Sequence, residues 1–263
     1  MSNPDVLALI AQAKAEGWTE LDLSGQGLTE LPPELGELRQ LEVLNLGYKE
    51  NSYSRNFLTE LPDWMTQLTN LHTLDLGYNK LTVLPDWIAQ LSNLHTLNLR
   101  NNLTSLPDEM AKLSNLHTLK LSSNGLTALP DWMAKLTNLH TLDLSGNDLA
   151  PLPDWMAQLP NLRTLDLSGI NLPVLPNWMA QLSHLNALYL SGTNLRVLPD
   201  WMAHFNNLHT LSVRENNLKV LPDWIEQFKN LLHLDLSYTS LTALPGWIAR
   251  SKTYSTSPLV GTN

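Results

Sequence analysis

The sequence predicts a curved α/β solenoid, with a parallel β-sheet on its concave face and short helices on its convex face. Two observations lead to this prediction. A segment of about 23 residues, well represented by Leu139–Asn161, recurs from Trp18 to about residue 250. Each copy joins an alternating apolar stretch to a stretch with helical spacing. Stacked, similar units are the architecture that such internal repetition predicts.

The first half of each unit has the pattern of a short β-strand. In the copy that begins at Leu139, Leu142 and Leu144 alternate with Thr141 and Asp143. A period of two places the leucines on one face and the polar residues on the other. No unit can bury its leucines alone, so neighbouring strands are expected to pair in parallel, about 4.8 Å apart.

The second half of each unit has helical spacing. In the same copy, Leu152, Met156 and Leu159 follow an i, i+4, i+7 pattern, which places them on one face of a short helix. Pro153 suits a first helical turn, and Asp154 lies near the positive end of the helix dipole.

An asparagine follows most of the strands and is expected to bind backbone groups buried in the turn. The positions are Asn56, Asn79, Asn102, Asn124, Asn147 and Asn216, with Gln26 in the first copy. Ile170, Thr193 and Thr239 interrupt the series, and fewer such hydrogen bonds are expected there.

The periodicity divides the chain into three parts. Residues 1–17 are predicted to form an N-terminal capping helix, because an apolar stripe from Val6 to Ala13 follows Pro4. Residues 18–250 are predicted to form ten repeats. Residues 251–263 depart from the pattern: they either fold back as a partial cap over the last repeat, or the chain is a piece of a longer protein.

Composition narrows the classes of partner. The net charge of −9 disfavours nucleic acid and anionic membranes and favours a basic protein. The chain has no cysteine, which is atypical of disulfide-capped extracellular repeat proteins. It has no basic residue ahead of its first apolar run and no apolar stretch of membrane-spanning length, so a cytoplasmic location is expected.

No constellation for catalysis, a cofactor or a metal is expected. Asp143 and Asp166 should face each other across adjacent strands, but a flat exposed sheet gives two carboxylates no distinct environments for acid and base roles. Zinc needs ligands that converge on one point. Histidines instead recur one per unit in a line, at His72, His95, His117, His140 and His209.

Two sets of residues are candidates for binding a protein. The concave set is Asp75, Asn98, Arg100, Lys120, Asp143, Asp166, Tyr189 and Arg214. The secondary set is Tyr53 and Arg55 in an insertion at 49–55, with Trp155, Trp178 and Trp201 from a convex tryptophan column. That column is either a packed aromatic ridge or a docking surface, and both interpretations stay open.

The period, together with L-x-x-L-x-L-x-x-N, is the signature of leucine-rich repeats. The copies at 19–38 and 68–85 resemble the repeats of about 23 residues in bacterial Roco-type proteins. That resemblance implies protein recognition or regulation, although the chain has no phosphate-binding G-x-x-x-x-G-K-[ST] motif of a GTPase. The expected function is therefore non-catalytic protein recognition by the concave sheet. The alternatives are a regulatory repeat module of a Roco-type GTPase system and a glycan platform on the tryptophans.

Overall fold

The computed structural model describes residues 4–49, 53–101, 103–243 and 245–246. The chain divides into two compact units. The first comprises Met1–Leu126 with Pro130–Leu139, and the second comprises Thr127–Leu129 with His140–Asn263. Each unit repeats the same succession of short strand, turn and short helix.

Each strand is three residues long and pairs in parallel with its neighbours within its unit, in chain order. The first unit contains β1 (Glu20–Asp22), β2 (Val43–Asn45), β3 (Thr73–Asp75), β4 (Thr96–Asn98) and β5 (Thr118–Lys120). The second contains β6 (Thr141–Asp143), β7 (Thr164–Asp166), β8 (Ala187–Tyr189), β9 (Thr210–Ser212) and β10 (His233–Asp235). The middle residue of every strand is a buried leucine, which confirms the predicted alternation.

A helix precedes the first strand, as predicted. Helix α1 spans Pro4–Glu16 and buries Val6, Ile10 and Ala13. Its C-terminal end is tied to the first repeat, because the Trp18 N–H donates to the Ala13 carbonyl. Lys14 also forms an ion pair with Glu37. The apolar stripe of α1 therefore lies against the start of the repeat array.

The helices between the strands are 3₁₀ helices of five or six residues rather than turns of α-helix. In the first unit they span Pro33–Glu37, Asp63–Gln67, Asp86–Gln90, Asp108–Lys112 and Asp131–Lys135; in the second, Asp154–Gln158, Asn177–Leu182, Asp200–His204 and Asp223–Gln227. Each 3₁₀ helix begins with a hydrogen bond to the carbonyl of the proline that precedes it, from the backbone N–H three residues further on. For example, the Met65 N–H donates to the Pro62 carbonyl. Such tight turns suit runs of this length. The face that carries these helices is the helix face. The face that carries the outward side chains of the strands is the strand face.

The asparagine series forms a buried ladder within each unit. Asn79 is representative: its amide donates to the carbonyls of Leu46 and Leu76, both at 3.0 Å, and its side-chain oxygen accepts from the Leu58 N–H. Each rung thus joins two consecutive repeats. Thr193 partly replaces a rung, because its hydroxyl lies 3.0 Å from two acceptors, the Leu190 carbonyl and Oδ1 of Asn216, and can donate to one of them.

The repeat that begins at Leu94 is one residue shorter than its neighbours. In it, Asn101 is buried and donates its amide to the Leu76 carbonyl. Asn102, which the spacing predicted, lies outside the described residues. Asn3, Trp247 and the tail at 251–263 also lie outside them. In the described part of the chain, no helix is long and apolar enough to span a membrane.

Candidate functional site

The outward positions of the strands form two polar rows on the strand face. The first row is mostly threonine, and the second carries many of the predicted interaction residues. Register aligns each row, so that Asp75 lies opposite Asn98, and Asp143 opposite Asp166. Side chains in both rows are mostly half-buried, whereas the leucines on the other side of the strands are buried. The strand face therefore presents polar groups that the leucine core does not require.

The aspartates and asparagines of the second row also shape the turn that follows each strand. In each of them one side-chain oxygen accepts from the backbone N–H two residues on, which is an Asx turn. This holds for Asp22, Asn45, Asp75, Asn98, Asp143, Asp166 and Asp235. Four predicted interaction residues (Asp75, Asn98, Asp143 and Asp166) thus already have a structural role.

Close packing surrounds these turns in the first unit. A β-carbon added to Gly47 would lie 2.5 Å from Oδ1 of Asp75. The other oxygen of Asp75 accepts from the Asn98 amide at 3.0 Å. Asp75 is therefore held between the repeats before and after it.

The facing carboxylates of Asp143 and Asp166 affect one another. Burial raises the pKa of the Asp166 carboxyl, and the negative charge of Asp143 raises it further, while hydrogen bonds from Ser168 lower it. Like charges directly opposite one another on a sheet are unfavourable. The pair is compatible with recognition of a positively charged group.

Arginine–tyrosine pairs occur at one edge of the strand face in both units. The Arg100 guanidinium lies 4.4 Å from the ring centroid of Tyr78, and that of Arg214 lies 4.5 Å from Tyr238. Both tyrosines have a left-handed backbone, with φ of 62° and 54°. Glycine fills the equivalent turn position at Gly146, Gly169 and Gly192, so tyrosine there carries a conformational cost.

The insertion of the second repeat brings further cations to the Arg100 edge. Lys49 and Ser54 form an antiparallel bridge, and the residues between them other than Tyr53 lie outside the described part of the chain. Arg55 and Lys80 lie 5.3 and 5.0 Å from the centroid of the Phe57 ring. Arg55 and Arg100 line the same recess, of about 190 Å³. The structure thus brings together two residues that the sequence assigned to separate sets.

Lys120, Tyr189 and Arg214, which were also predicted to bind a partner, do not line the recess that Arg55 and Arg100 share. Lys120 is exposed at the end of β5. Tyr189 and Arg214 lie in the second unit, where Tyr189 is half-buried and pairs in register with Asp166 and Ser212. They extend the strand face into the second unit.

The histidine row is held by ring contacts and backbone bonds. His95 and His117 are stacked with centroids 5.0 Å apart, and His72 meets His95 edge-on at 5.2 Å. Nδ1 of His95 donates to the Asn93 carbonyl at 2.7 Å, and that of His117 donates to Asn115 in the same way. Within the described residues, no three His, Asp or Glu side chains gather as a metal site would require.

The tryptophans pack across the helix face. Trp132 and Trp155 are buried, at 8% and 6% exposure, and Trp64, Trp87, Trp178, Trp201 and Trp224 are half-buried. The Trp64 ring packs closely against the preceding 3₁₀ helix, because a β-carbon added to Gly36 would lie 2.9 Å from the ring. The indole N–H groups of Trp87, Trp132, Trp155, Trp201 and Trp224 are buried and have no acceptor among the described residues. Most of each indole surface is therefore used in packing.

A second asparagine ladder was missed by the sequence reasoning. In five repeats the asparagine just before the first leucine of L-x-x-L-x-L donates its amide to the carbonyl two residues before that leucine's counterpart in the previous repeat. The pairs are Asn70 to Arg39, Asn93 to Thr69, Asn115 to Ser92, Asn138 to Ser114 and Asn230 to Asn206. The signal was present as a recurrent asparagine before the anchor leucine. His184 replaces it in one repeat.

Comparisons with known proteins agree with this architecture. A family model described as "Leucine-rich repeat region" matches residues 20–180. No curated protein sequence matches the chain. A leucine-rich repeat protein of Leptospira interrogans is 28% identical with a TM-score of 0.69, and the alignment covers 95% of this chain and 80% of the other.

Two structures of receptor complexes are also similar. The Arabidopsis receptor kinase HAESA, solved with the peptide hormone IDA and the co-receptor SERK1, is 25% identical with a TM-score of 0.75; 94% of this chain and 46% of HAESA are covered. A chain of the Drosophila Toll–Spatzle complex is 29% identical with a TM-score of 0.69, and the alignment covers 88% of this chain and 31% of that one. This chain thus spans less than half of either of these proteins.

Proposed function

Because this chain belongs to the leucine-rich repeat family, we propose that it is a non-catalytic module that binds a protein partner through its strand face. The observation that carries the proposal is the row of half-exposed polar and aromatic side chains on that face, which the buried leucine core does not need. Arginine and tyrosine are the residues that most often anchor protein interfaces. Arg100, Tyr189 and Arg214 are the proposed anchors.

The similar structures support a protein or peptide as the ligand class. HAESA is seen with a peptide hormone and a co-receptor, and Toll is seen with Spatzle. A cytoplasmic location fits the absence of cysteine, since disulfides characterise many extracellular repeat proteins. Regulation of a Roco-type GTPase stays a prediction from resemblance alone.

The helix face supports a ligand less well. A glycan platform needs accessible aromatic faces, whereas Trp155 is only 6% exposed and Trp178 and Trp201 are half-buried. Docking of a protein on the same tryptophans meets the same difficulty. The strand face, in contrast, can lose side chains without opening the core.

Affinity capture tests the proposed surface. The immobilised chain would be exposed to a lysate of the source organism, and captured proteins would be quantified by mass spectrometry for wild type and for Arg100→Gln with Tyr189→Ala. Neither substitution removes an Asx turn. We expect at least a tenfold loss of a specific partner, because truncating an interface anchor typically costs more than about 1 kcal/mol.

A matched control uses exposed lysines of the helix face, Lys112→Gln with Lys135→Gln. The control should retain the partner. Equal retention by both double variants would refute recognition by the strand face, provided that both melt at the wild-type temperature.

A further inference from the structure

Two arginines converge on one recess at the edge of the strand face in the first unit. The recess, of about 190 Å³, is lined by Arg55, Tyr78, Asn79, Arg100, Asn101 and Ser123. Arg100 is oriented by its stack on Tyr78 and by donating a hydrogen bond to the tyrosine hydroxyl. Arg55 is placed against the Phe57 ring. Both guanidinium groups are therefore positioned by aromatic rings.

The positive charge of this recess is not neutralised within the described residues. The other arginine–tyrosine pair shows the contrast, because Arg214 forms an ion pair at 3.0 Å with Glu215, its chain neighbour. The residue that follows Arg100 is the neutral Asn101. Neither Arg100 nor Arg55 is within ion-pairing distance of a described carboxylate. Two like charges at one recess favour an anionic group between them, because guanidinium donors bind carboxylates strongly.

A second recess shares one lining residue, Arg55, with the first. It has a volume of about 380 Å³ and is lined by Gly25, Gln26, Gly27, Tyr53, Ser54, Arg55 and Phe57. Tyr53 is 86% exposed and has φ of 52°, an uncommon conformation for tyrosine. Such strain often accompanies binding sites. Tyr53 and Phe57 provide aromatic surface beside Arg55.

We propose that these two recesses, on either side of Arg55, together bind an acidic residue of a peptide segment in the protein partner and a neighbouring aromatic residue of that segment. The carboxylate lies between Arg55 and Arg100, and the neighbouring aromatic side chain packs on Tyr53 and Phe57. This inference rests on the proposed function and identifies the chemistry of the segment that binds. It differs from the basic partner expected from net charge, because net charge sums over the whole chain and this site is locally cationic.

Short peptides test the site directly. The probes are acetyl-Phe-Asp-Gly-amide and acetyl-Phe-Asn-Gly-amide, titrated into the full chain and followed by NMR chemical shifts. We expect the Asp peptide to bind at least tenfold more tightly than the Asn peptide. Its shift changes should centre on Arg55, Tyr78 and Arg100. Equal affinity for the two peptides would overturn the proposal, as would shift changes confined to other surfaces.

Single substitutions then assign the arginines. Arg55→Gln and Arg100→Gln should each weaken binding of the Asp peptide about tenfold, and Arg100→Lys should weaken it less. Arg196→Gln, at an exposed arginine of the second unit that belongs to neither interaction set, is the control and should leave the affinity unchanged. Circular dichroism and melting temperature show whether each variant is folded, and Arg100→Lys provides a second variant if Arg100→Gln does not fold. Loss of affinity in Arg196→Gln equal to that in Arg100→Gln would contradict the assignment.

Inorganic phosphate distinguishes an acidic peptide from a general anion site. It should compete only weakly with the Asp peptide, since it has no aromatic group to pack on Tyr53 and Phe57. Phosphate binding more tightly than the Asp peptide would overturn the proposal. A lysate partner that is lost with Tyr189→Ala but retained by Arg55→Gln with Arg100→Gln would also overturn it, and would leave recognition by the strand face standing.

Discussion

Asp166 shows how a single residue can serve a local turn at some cost to stability. Its side chain accepts from the Ser168 N–H at 2.8 Å, yet burial and the facing charge of Asp143 raise its pKa. In other repeats Asn45 and Asn98 make the same turn without a charge. The carboxylate is therefore not required by the fold, and its retention fits a role in binding.

Asp166→Asn should increase stability at neutral pH. A raised folded pKa means that the folded state binds a proton more readily than the unfolded state, whose pKa is about 3.9. Stability from this group is then present at low pH and lost as pH rises through the folded pKa. The advantage of the variant should be largest at pH 7 and should shrink on acidification.

Urea unfolding of wild type and variant at several pH values measures this difference. Asp154→Asn, at an exposed carboxylate on the helix face, controls for the general loss of negative charge. A stability gain for Asp166→Asn that is constant from pH 7 to pH 3 would contradict the assigned cause.

At the scale of the structural element, the ladder of asparagines that precede the strands is interrupted in the second unit by His184. Burial lowers the pKa of His184, and the positive charge of Arg163 lowers it further, while a hydrogen bond to the Leu159 backbone opposes the shift. Nε2 of His184 is buried and has no partner in the described part of the chain. An asparagine there could donate to Pro160, by analogy with Asn138 and Ser114.

His184→Asn exchanges the hydrogen bond to the Leu159 backbone for one to Pro160, and it removes a buried ring nitrogen that has no partner among the described residues. It should therefore stabilise the second unit by about 1 kcal/mol, the low end of the cost of an unsatisfied buried polar group. The gain should grow as pH falls below about 6.5, the unfolded pKa of histidine. In that range the unfolded wild type binds more protons than the folded wild type, and this difference destabilises the folded state. Urea unfolding at pH 7.5 and 5.5 measures both effects; a smaller gain at the lower pH would contradict the prediction.

The helix face makes a separate prediction about the tryptophan row. Trp155→Ala should lower the free energy of unfolding by about 3–5 kcal/mol, as large aromatic truncations do in buried sites. Trp155→Phe should cost much less, because it keeps an aromatic ring and removes a buried N–H that has no acceptor among the described residues. Chemical denaturation checks the order. If both variants unfold like wild type, the indole does not contribute to packing.

At the scale of the whole molecule, the repeat pattern was sufficient to predict strand positions, register and the buried leucines. Periodicity specifies these features because each repeat can bury its leucines only against the next. It was not sufficient to predict 3₁₀ geometry, because Met156 and Leu159 follow Leu152 with a spacing that also fits an α-helix. Nor did the spacing show that Asn101 is also buried and donates to a backbone carbonyl.

The candidate site was only partly predictable for a related reason. Arg100 and Arg55 were each identified, but their convergence depends on how the insertion folds back, and no repeat pattern encodes that. The Asx turns at Asp75 and Asp143 were also missed, because an outward aspartate has the same sequence pattern whether it caps a turn or binds a partner. Tyr78 gives another example: its left-handed backbone is visible only in the structure.

Hydroxyl-radical footprinting of the chain with its captured partner tests the central claim most directly. Hydroxyl radicals oxidise both tyrosine and tryptophan. Tyr78 and Tyr189 report on the strand face, and Trp178 and Trp201 report on the helix face, so the residue type that is protected identifies the face that binds. The account predicts that partner binding protects Tyr78 and Tyr189 and leaves Trp178 and Trp201 unchanged. Protection of these tryptophans with unchanged tyrosines would contradict recognition by the strand face.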